Sequence, residues 1–130
     1  GDPTLVAQVL KISAAYTPPP PEGFVSPVTW GQEAHVVERF TAAGVPAGAI
    51  RCTPDTYTFR SGGSPSEFLN RFRHLYGPTM NAFDAAEKDG KAGELHAELD
   101  ALFNAQNQSD DPGATVIPAT FLRVEVSVPA

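Results

Sequence analysis

Only two stretches of this sequence have strand character, and patterns typical of helices occupy most of the rest. Residues 49–60 are rich in Thr and aromatic side chains, and Pro54 predicts a break in that strand or a place at a sheet edge. Along residues 120–128, apolar and polar side chains alternate. Because a two-stranded ribbon alone is marginal in water, the strands must be covered by helices, join a larger sheet or pair with another copy.

Five segments have the spacing of apolar side chains that predicts amphipathic helices. Their expected ranges are a first helix capped by Asp2-Pro3 and running to about residue 16, then about 32–43, a helix from Ser64 to a stop at Gly77-Pro78, about 79–87 and about 91–106. The helix after Ser64 has the clearest signals, since Ser64 and Glu67 can form a capping box and Pro65 suits the first helical position.

The predicted fold class is therefore α+β, with about five helices and two antiparallel strands. The fourth helix is expected to bury Met80, Phe83 and Ala86 on one side. A length of 130 residues fits a single domain or a fragment of a larger one, and it allows a core of ordinary size.

Composition excludes several classes of partner. The formal net charge is −6, and nucleic-acid binding needs a basic surface. The longest apolar run is far shorter than the roughly 20 residues that cross a bilayer. The single cysteine, Cys52, cannot form an internal disulfide, and the first sixteen residues lack the basic start and cleavage site of a signal peptide. We therefore expect a cytoplasmic protein without nucleic-acid or membrane partners.

Motifs for catalysis or metal binding are absent from the sequence. His35, His74 and His96 lie on predicted helices, and none has a second ligand at a known metal spacing, so no metal is expected. Cys52 lacks a basic partner in a recognisable motif and is interpreted as a small buried side chain. No serine lies in a G-x-S-x-G elbow.

Four residues are candidates for a small-molecule pocket, and each has a structural alternative. Phe24 and Trp30 are large for a loop, so they either fill the gap between helices or line a pocket. His74 and Tyr76 lie two positions apart near the end of the third predicted helix. His74 could transfer a proton or orient a substrate, and a surface or half-buried structural histidine is the alternative.

Three segments occur in a recognisable order: AAYTPPPPEGFVSPVTWG, then YTFRSGGSPSEFLNRFRHLYGPT, then NQSDDPGATVIPATFLRVEV. Together they resemble the C-terminal part of a class I S-adenosylmethionine-dependent methyltransferase of the UbiE-like, small-molecule group. Members of that group often have a PPPP run followed by an SP..WG turn, a strand ending in TFR, and a helix that opens SPE.F and ends YGPT. The resemblance extends over nearly the whole chain.

The resemblance implies a place for each element. The two strands would be similar to the family's last two, an antiparallel pair at one edge of a seven-stranded sheet, and the helices would cover the substrate side. Methyl transfer to a small-molecule acceptor would proceed by in-line displacement, in which positioning of the acceptor is much of the catalysis. Phe24, Trp30, His74 and Tyr76 are then expected to face the acceptor pocket.

The chain departs from the family at the cofactor site. Family members hold S-adenosylmethionine with a Gly-rich turn after the first strand and an acidic residue ending the second, and no G-x-G segment occurs here. No cofactor-binding residue is therefore assigned, and the chain alone is expected neither to bind S-adenosylmethionine nor to transfer a methyl group. The alternative is a non-enzymatic helical interaction module that self-associates. Strands without a sheet also predict a homodimer, with strand exchange as one way to form it.

Overall fold

The computed structural model describes residues 1–129, and this part of the chain is α+β, with five α-helices and one antiparallel pair of strands. In chain order the elements are α1 (Leu5–Ala14), a 3₁₀ helix (Pro27–Gly31), α2 (Glu33–Ala42), a second 3₁₀ helix (Ala47–Ala49), β1 (Ile50–Ser61), α3 (Pro65–Leu75), α4 (Gly77–Lys88), α5 (Ala92–Gln106) and β2 (Thr115–Val126). The chain divides into two compact units. One comprises Gly1–Pro20 and Thr58–Ala119, and the other comprises Pro21–Tyr57 and the residues from Thr120 onward.

The first unit is helical and holds most of the buried apolar side chains. α4 and α5 each pack against the other three helices of this unit, and α5 buries Leu95, Leu99 and Phe103 in its core. Aromatic rings fill its middle: the ring centroid of Phe72 lies 5.2 Å from each of those of Phe68, Tyr76 and Phe103. The buried residues of the core are Leu5, Val9, Phe68, Leu69, Ala82, Phe83, Ala86, Leu95, Leu99, Phe103 and Ile117.

The capping box that the sequence predicts at the start of α3 is confirmed. Glu67 N donates to Ser64 Oγ (3.2 Å), and Ser64 N donates to Glu67 Oε2 (2.6 Å). The predicted role of Gly77-Pro78 is wrong in one respect. α3 ends at Leu75, and Gly77-Pro78 forms the first turn of α4, because proline is accommodated where a helix begins and its missing N–H is not needed.

Two details of the other helices also differ from the prediction. The residue that caps α1 is Thr4, and Asp2 Oδ1 accepts hydrogen bonds from the N–H and the hydroxyl of Thr4. In α4, Phe83 and Ala86 are buried as expected, whereas Met80 is 40% exposed. Met80 lies in the first turn of α4, where Thr79 takes the buried position instead.

The second unit contains α2, residues 50–57 of β1 and residues 120–126 of β2. α2 buries Val36, with Val37 and Phe40 half-buried and Glu33 and Glu38 exposed, as the spacing predicts. α2 ends at Ala42, and Gly44, two residues later, has a φ of +92°, in the left-handed region that glycine adopts without strain.

The two strands pair with each other within the chain. Ser127 N donates to Ala49 O (2.9 Å), which places these residues opposite each other, and Arg51 Nε lies 3.3 Å from Glu125 Oε2 one pair further along the same face. β1 is continuous, so the break predicted at Pro54 is wrong. The bonding direction alternates along an antiparallel strand and Ala49 O faces β2, so the nitrogen of Pro54 faces away and costs the ladder no hydrogen bond.

β2 begins at Thr115, earlier than the predicted start at residue 120. Its first part includes Pro118, which lies before the predicted start of the strand. Thr115, Ile117 and Ala119 are buried in the first unit, and Thr115 Oγ1 donates to Gly63 O (2.8 Å). The apolar contacts of this part therefore outweigh the low strand preference of proline.

Candidate functional site

Exposed apolar side chains are concentrated in the segment before α2. Phe24 is 54% exposed and Trp30 49% exposed, and Val25 and Val28 are exposed to a similar extent. The 3₁₀ helix Pro27–Gly31 has no buried residue. The segment therefore presents a hydrophobic surface in its own unit, which is the property of a surface that binds an apolar ligand or partner.

A cation–π contact orients the Trp30 ring, and a hydrogen bond next to it stabilises the 3₁₀ helix. The guanidinium carbon of Arg39 lies 4.9 Å from the centroid of the Trp30 ring, a cation–π contact from α2 to the 3₁₀ helix. At the start of that helix, Thr29 Oγ1 donates to Ser26 O (2.7 Å). The indole is thus both oriented and accessible, a combination that suits stacking against a planar ligand.

The other two candidates, His74 and Tyr76, lie where α3 meets α4, in the first unit. Tyr76 is the residue between the two helices, its ring packs on Phe72, and burial raises the pKa of its hydroxyl above the ordinary value. A tyrosine hydroxyl is protonated at neutral pH even at its ordinary pKa, so it can donate a hydrogen bond, and the raised pKa extends that state to higher pH. His74 is exposed.

The four predicted residues thus form two pairs. Phe24 and Trp30 share the exposed segment of the second unit, whereas His74 and Tyr76 belong to the first. The sequence could indicate Phe24 and Trp30 because large aromatic residues are unusual in a loop. It could not show that Tyr76 packs in an aromatic cluster while its neighbour faces solvent.

A surface cavity of about 770 Å³ lies in the first unit, beside the end of α1. Its charged lining has four carboxylates (Asp84, Asp89, Glu94 and Glu98) and two ammonium groups (Lys88 and Lys91). Tyr16 OH donates to Glu98 Oε1 (2.6 Å), and this hydrogen bond, followed by desolvation and the charges of Glu98 and Glu94, raises the pKa of Tyr16 to about 12. None of the four sequence-predicted residues lines this cavity.

No short motif could have revealed that cavity, because its lining combines the residues just after α1 with residues of α4, of α5 and of the turn between them, which come much later in the sequence. Tyr16 and Glu98 are separated by 82 positions. Their contact depends on the way α1 packs on α4 and α5.

Cys52 is half-buried on β1. Desolvation, and secondarily the charge of Glu33, raises the pKa of its thiol. A raised pKa lowers the thiolate fraction at neutral pH, which argues against a nucleophilic role. Among the described residues there is also no group of three or more His, Cys, Asp or Glu side chains that could hold a metal ion.

β2 carries an open backbone edge in the second unit. Val116 N donates to Asn107 Oδ1 and Gln108 N donates to Val116 O, so the backbone groups of Val116 face away from β1. Ser127 N faces β1. Because this direction alternates from residue to residue, the N–H and C=O groups of Leu122, Val124 and Val126 also face away from β1.

We call the backbone groups of Leu122, Val124 and Val126 the outer edge of β2. Apart from the pairing of β1 with β2, no hydrogen bond between described residues involves the backbone of these three. Such an edge is a ready template for another strand.

Comparison with known proteins places the chain in no family: no family model matches it, and neither does any curated protein or solved structure. None of the described helices is both long and apolar enough to cross a bilayer. The surfaces of the chain itself therefore provide the only indications of its function.

Proposed function

We propose that this chain is the C-terminal, acceptor-side region of a cytoplasmic S-adenosylmethionine-dependent small-molecule methyltransferase and that it is inactive alone. The observation that carries the proposal is the exposed aromatic segment before α2. Phe24 and Trp30 are about half exposed, and Arg39 orients the Trp30 ring. An accessible, oriented indole in an apolar surface suits an acceptor with a planar apolar part.

The strand pair supports the same proposal. The resemblance expects the last two strands of a larger sheet, paired antiparallel, and the structure has one antiparallel pair with an open outer edge on β2. A further strand of the sheet could dock there through the N–H and C=O groups of Leu122, Val124 and Val126.

His74 and Tyr76 belong to the first unit and are proposed as ligand-contacting residues of that unit alone. The Tyr76 hydroxyl is protonated at neutral pH and can donate a hydrogen bond to a polar group of a ligand. His74 is exposed and accessible to a ligand. In-line methyl transfer depends on positioning of the acceptor, since holding the reacting atoms close and aligned lowers the barrier.

The first test is calorimetric titration of the chain with S-adenosylmethionine. We expect no binding, because no Gly-rich cofactor turn exists in the sequence. Micromolar affinity would contradict the assignment of this chain to the acceptor side. Sequencing the coding region upstream supplies the second test, and an in-frame G-x-G-containing domain is the expected result.

If that longer protein is active, Trp30→Ala should raise the KM for the acceptor and leave the affinity for S-adenosylmethionine unchanged. Val128→Ala is a suitable control, since Val128 is 80% exposed. Equal effects of the two substitutions on the KM would refute the role of Trp30.

A second candidate function is a non-enzymatic interaction module. The observation that favours it is the outer edge of β2, which can bind a strand without any catalytic group. A stop codon in frame immediately upstream, together with a natural start at residue 2, would favour this function over the first.

A further inference from the structure

We propose that two copies of the chain associate through the outer edges of β2, antiparallel, about a twofold axis at Val124. In this register Val124 lies opposite Val124 of the second copy, and Leu122 lies opposite Val126 of the second copy. The two β1–β2 pairs then form one four-stranded sheet with β2 and its copy in the middle.

The backbone of β2 fits this arrangement. Hydrogen bonds form only where residues that face outward on one strand meet residues that face outward on the other. Leu122, Val124 and Val126 all face away from β1, so the proposed register sets outward groups against outward groups at each of the three positions. The same register sets Leu122, Val124 and Val126 against one another on one face, where all three side chains are half-buried.

Charge selects this register among its neighbours. With the axis at Val124, Arg123 lies opposite Glu125 of the second copy, and Glu125 lies opposite its Arg123. With the axis at residue 123, Arg123 would lie opposite Arg123 of the second copy. With the axis at residue 125, Glu125 would lie opposite Glu125 of the second copy. Like charges directly opposite each other on a sheet are unfavourable, so only the axis at Val124 satisfies both residues.

Arg123 and Glu125 lie on the opposite face of β2 from Leu122, Val124 and Val126, and ion pairs within the chain are already present on that face. Arg123 Nη1 lies 3.3 Å from Asp55 Oδ2, and Arg51 Nε lies 3.3 Å from Glu125 Oε2. In the dimer Arg123 and Glu125 would each gain a second partner of opposite charge. These cross-dimer pairs fall at positions without backbone hydrogen bonds, where opposing side chains approach most closely.

The edge of β1 is less suited to pairing. Pro54 lies at an outward-facing position of β1 and has no N–H to offer a second strand. The stretch of β2 from Leu122 to Val126 contains no proline. Association is therefore expected at β2 and not at β1.

This inference does not rest on the methyltransferase proposal. A backbone edge binds one strand at a time, so a larger sheet docked on β2 would exclude the second copy. The dimer is proposed for the chain of 130 residues. If no dimer formed, the result expected from titration with S-adenosylmethionine would be unchanged.

The test is sedimentation equilibrium of the wild-type chain, of Arg123→Glu, of Glu125→Arg and of an equimolar mixture of these two variants. The wild type is expected to dimerise. Each variant alone sets like charges against each other twice and should weaken dimerisation by about tenfold or more. In the mixture every charge again meets its opposite, so a heterodimer of wild-type affinity is expected.

Three results would overturn the proposal. The wild type could stay monomeric at the highest concentration reached, or the single variants could dimerise as tightly as the wild type. The third result is a mixture whose dimer dissociation constant is no lower than that of either variant alone. Circular dichroism of each variant monitors folding, since surface ion pairs contribute only about 0–1 kcal/mol to stability.

A backbone variant gives an independent test. Val124→Pro removes an N–H that faces away from β1, as Pro54 and Pro118 already do, so the fold should persist while the dimer is lost. A Val124→Pro protein that is folded by circular dichroism and still dimerises like the wild type would contradict the proposed interface.

Discussion

Leu99 and Leu75 offer a matched test of the packing of the helical unit, because both are leucines on its helices. Leu99, on α5, is 0% exposed and belongs to the core, whereas Leu75, the last residue of α3, is 79% exposed. The substitution to alanine removes the same atoms at both positions. Any difference between the two variants therefore reports the environment of the side chain.

Replacing Leu99 by alanine should cost about 3–4 kcal/mol of unfolding free energy, from lost burial and from the cavity left behind. Leu75→Ala should stay within about 0.5 kcal/mol of the wild type. With a urea slope of about 1.5–2 kcal/mol per M, the first change lowers the unfolding midpoint by roughly 2 M. Urea titration followed by circular dichroism at the helical minimum measures both.

A third variant, Leu99→Met, keeps most of the volume and should cost less than about 1.5 kcal/mol. If Leu99→Ala lost under about 1 kcal/mol, or no more than Leu75→Ala, Leu99 would not lie in a packed core. If Leu99→Met lowered the unfolding free energy as much as Leu99→Ala does, the loss would not come from a cavity at this position.

Three further predictions concern polar groups. Ser64→Ala should cost about 1 kcal/mol by removing the cap of α3, whereas Ser64→Asp should preserve most of the stability in the same urea assay; equal losses would refute the capping role. Tyr16 should ionise near pH 12 in a spectrophotometric titration, assigned with Tyr16→Phe, and Glu98→Gln should lower its pKa because the main cause of the shift is lost. Since that pKa is raised, the stabilisation it contributes is complete below about pH 10 and is lost as the pH rises towards 12, so an unshifted midpoint in Glu98→Gln would contradict the contact. Thr79 Oγ1 is buried with no hydrogen-bond partner among the described residues, so Thr79→Val should leave stability unchanged or raise it, and a loss above about 1 kcal/mol by thermal unfolding would show that a partner exists.

The helices were predictable because their signals are local. The capping box of α3 and the apolar spacing of α5 depend on neighbours within a few residues, and both are present in the structure. The junction of α3 and α4 was less predictable, because Gly77-Pro78 can either stop one helix or start the next. Only the packing of both helices decides between these outcomes.

The strands show what a sequence alone cannot provide. Pro54 suggested an interruption, yet it lies inside a continuous strand, and Pro118 lies inside β2 although the predicted strand began only at residue 120. Whether a proline interrupts a strand depends on which way its nitrogen faces, and that direction is set by the pairing register. The register here is fixed by contacts such as Ala49 with Ser127, which are far apart in the sequence.

The exposed aromatic residues had a local signal in the sequence, and the other surface features had none. Phe24 and Trp30 could be chosen because large aromatic residues in a loop are unusual, and both are exposed in the structure. The contact of Arg39 with Trp30 and the cavity beside Tyr16 depend on tertiary packing and have no local signal.

The most direct test of the open edge on β2 is amide hydrogen exchange, residue by residue, in a dilute monomeric sample and in a concentrated one. In the monomer the amides of Arg123 and Glu125 should be protected by β1, while those of Leu122, Val124 and Val126 exchange fast. In the concentrated sample these three should become protected as the second copy binds. Uniform protection along β2 in the monomer, or fast exchange at Val124 in both samples, would contradict this account.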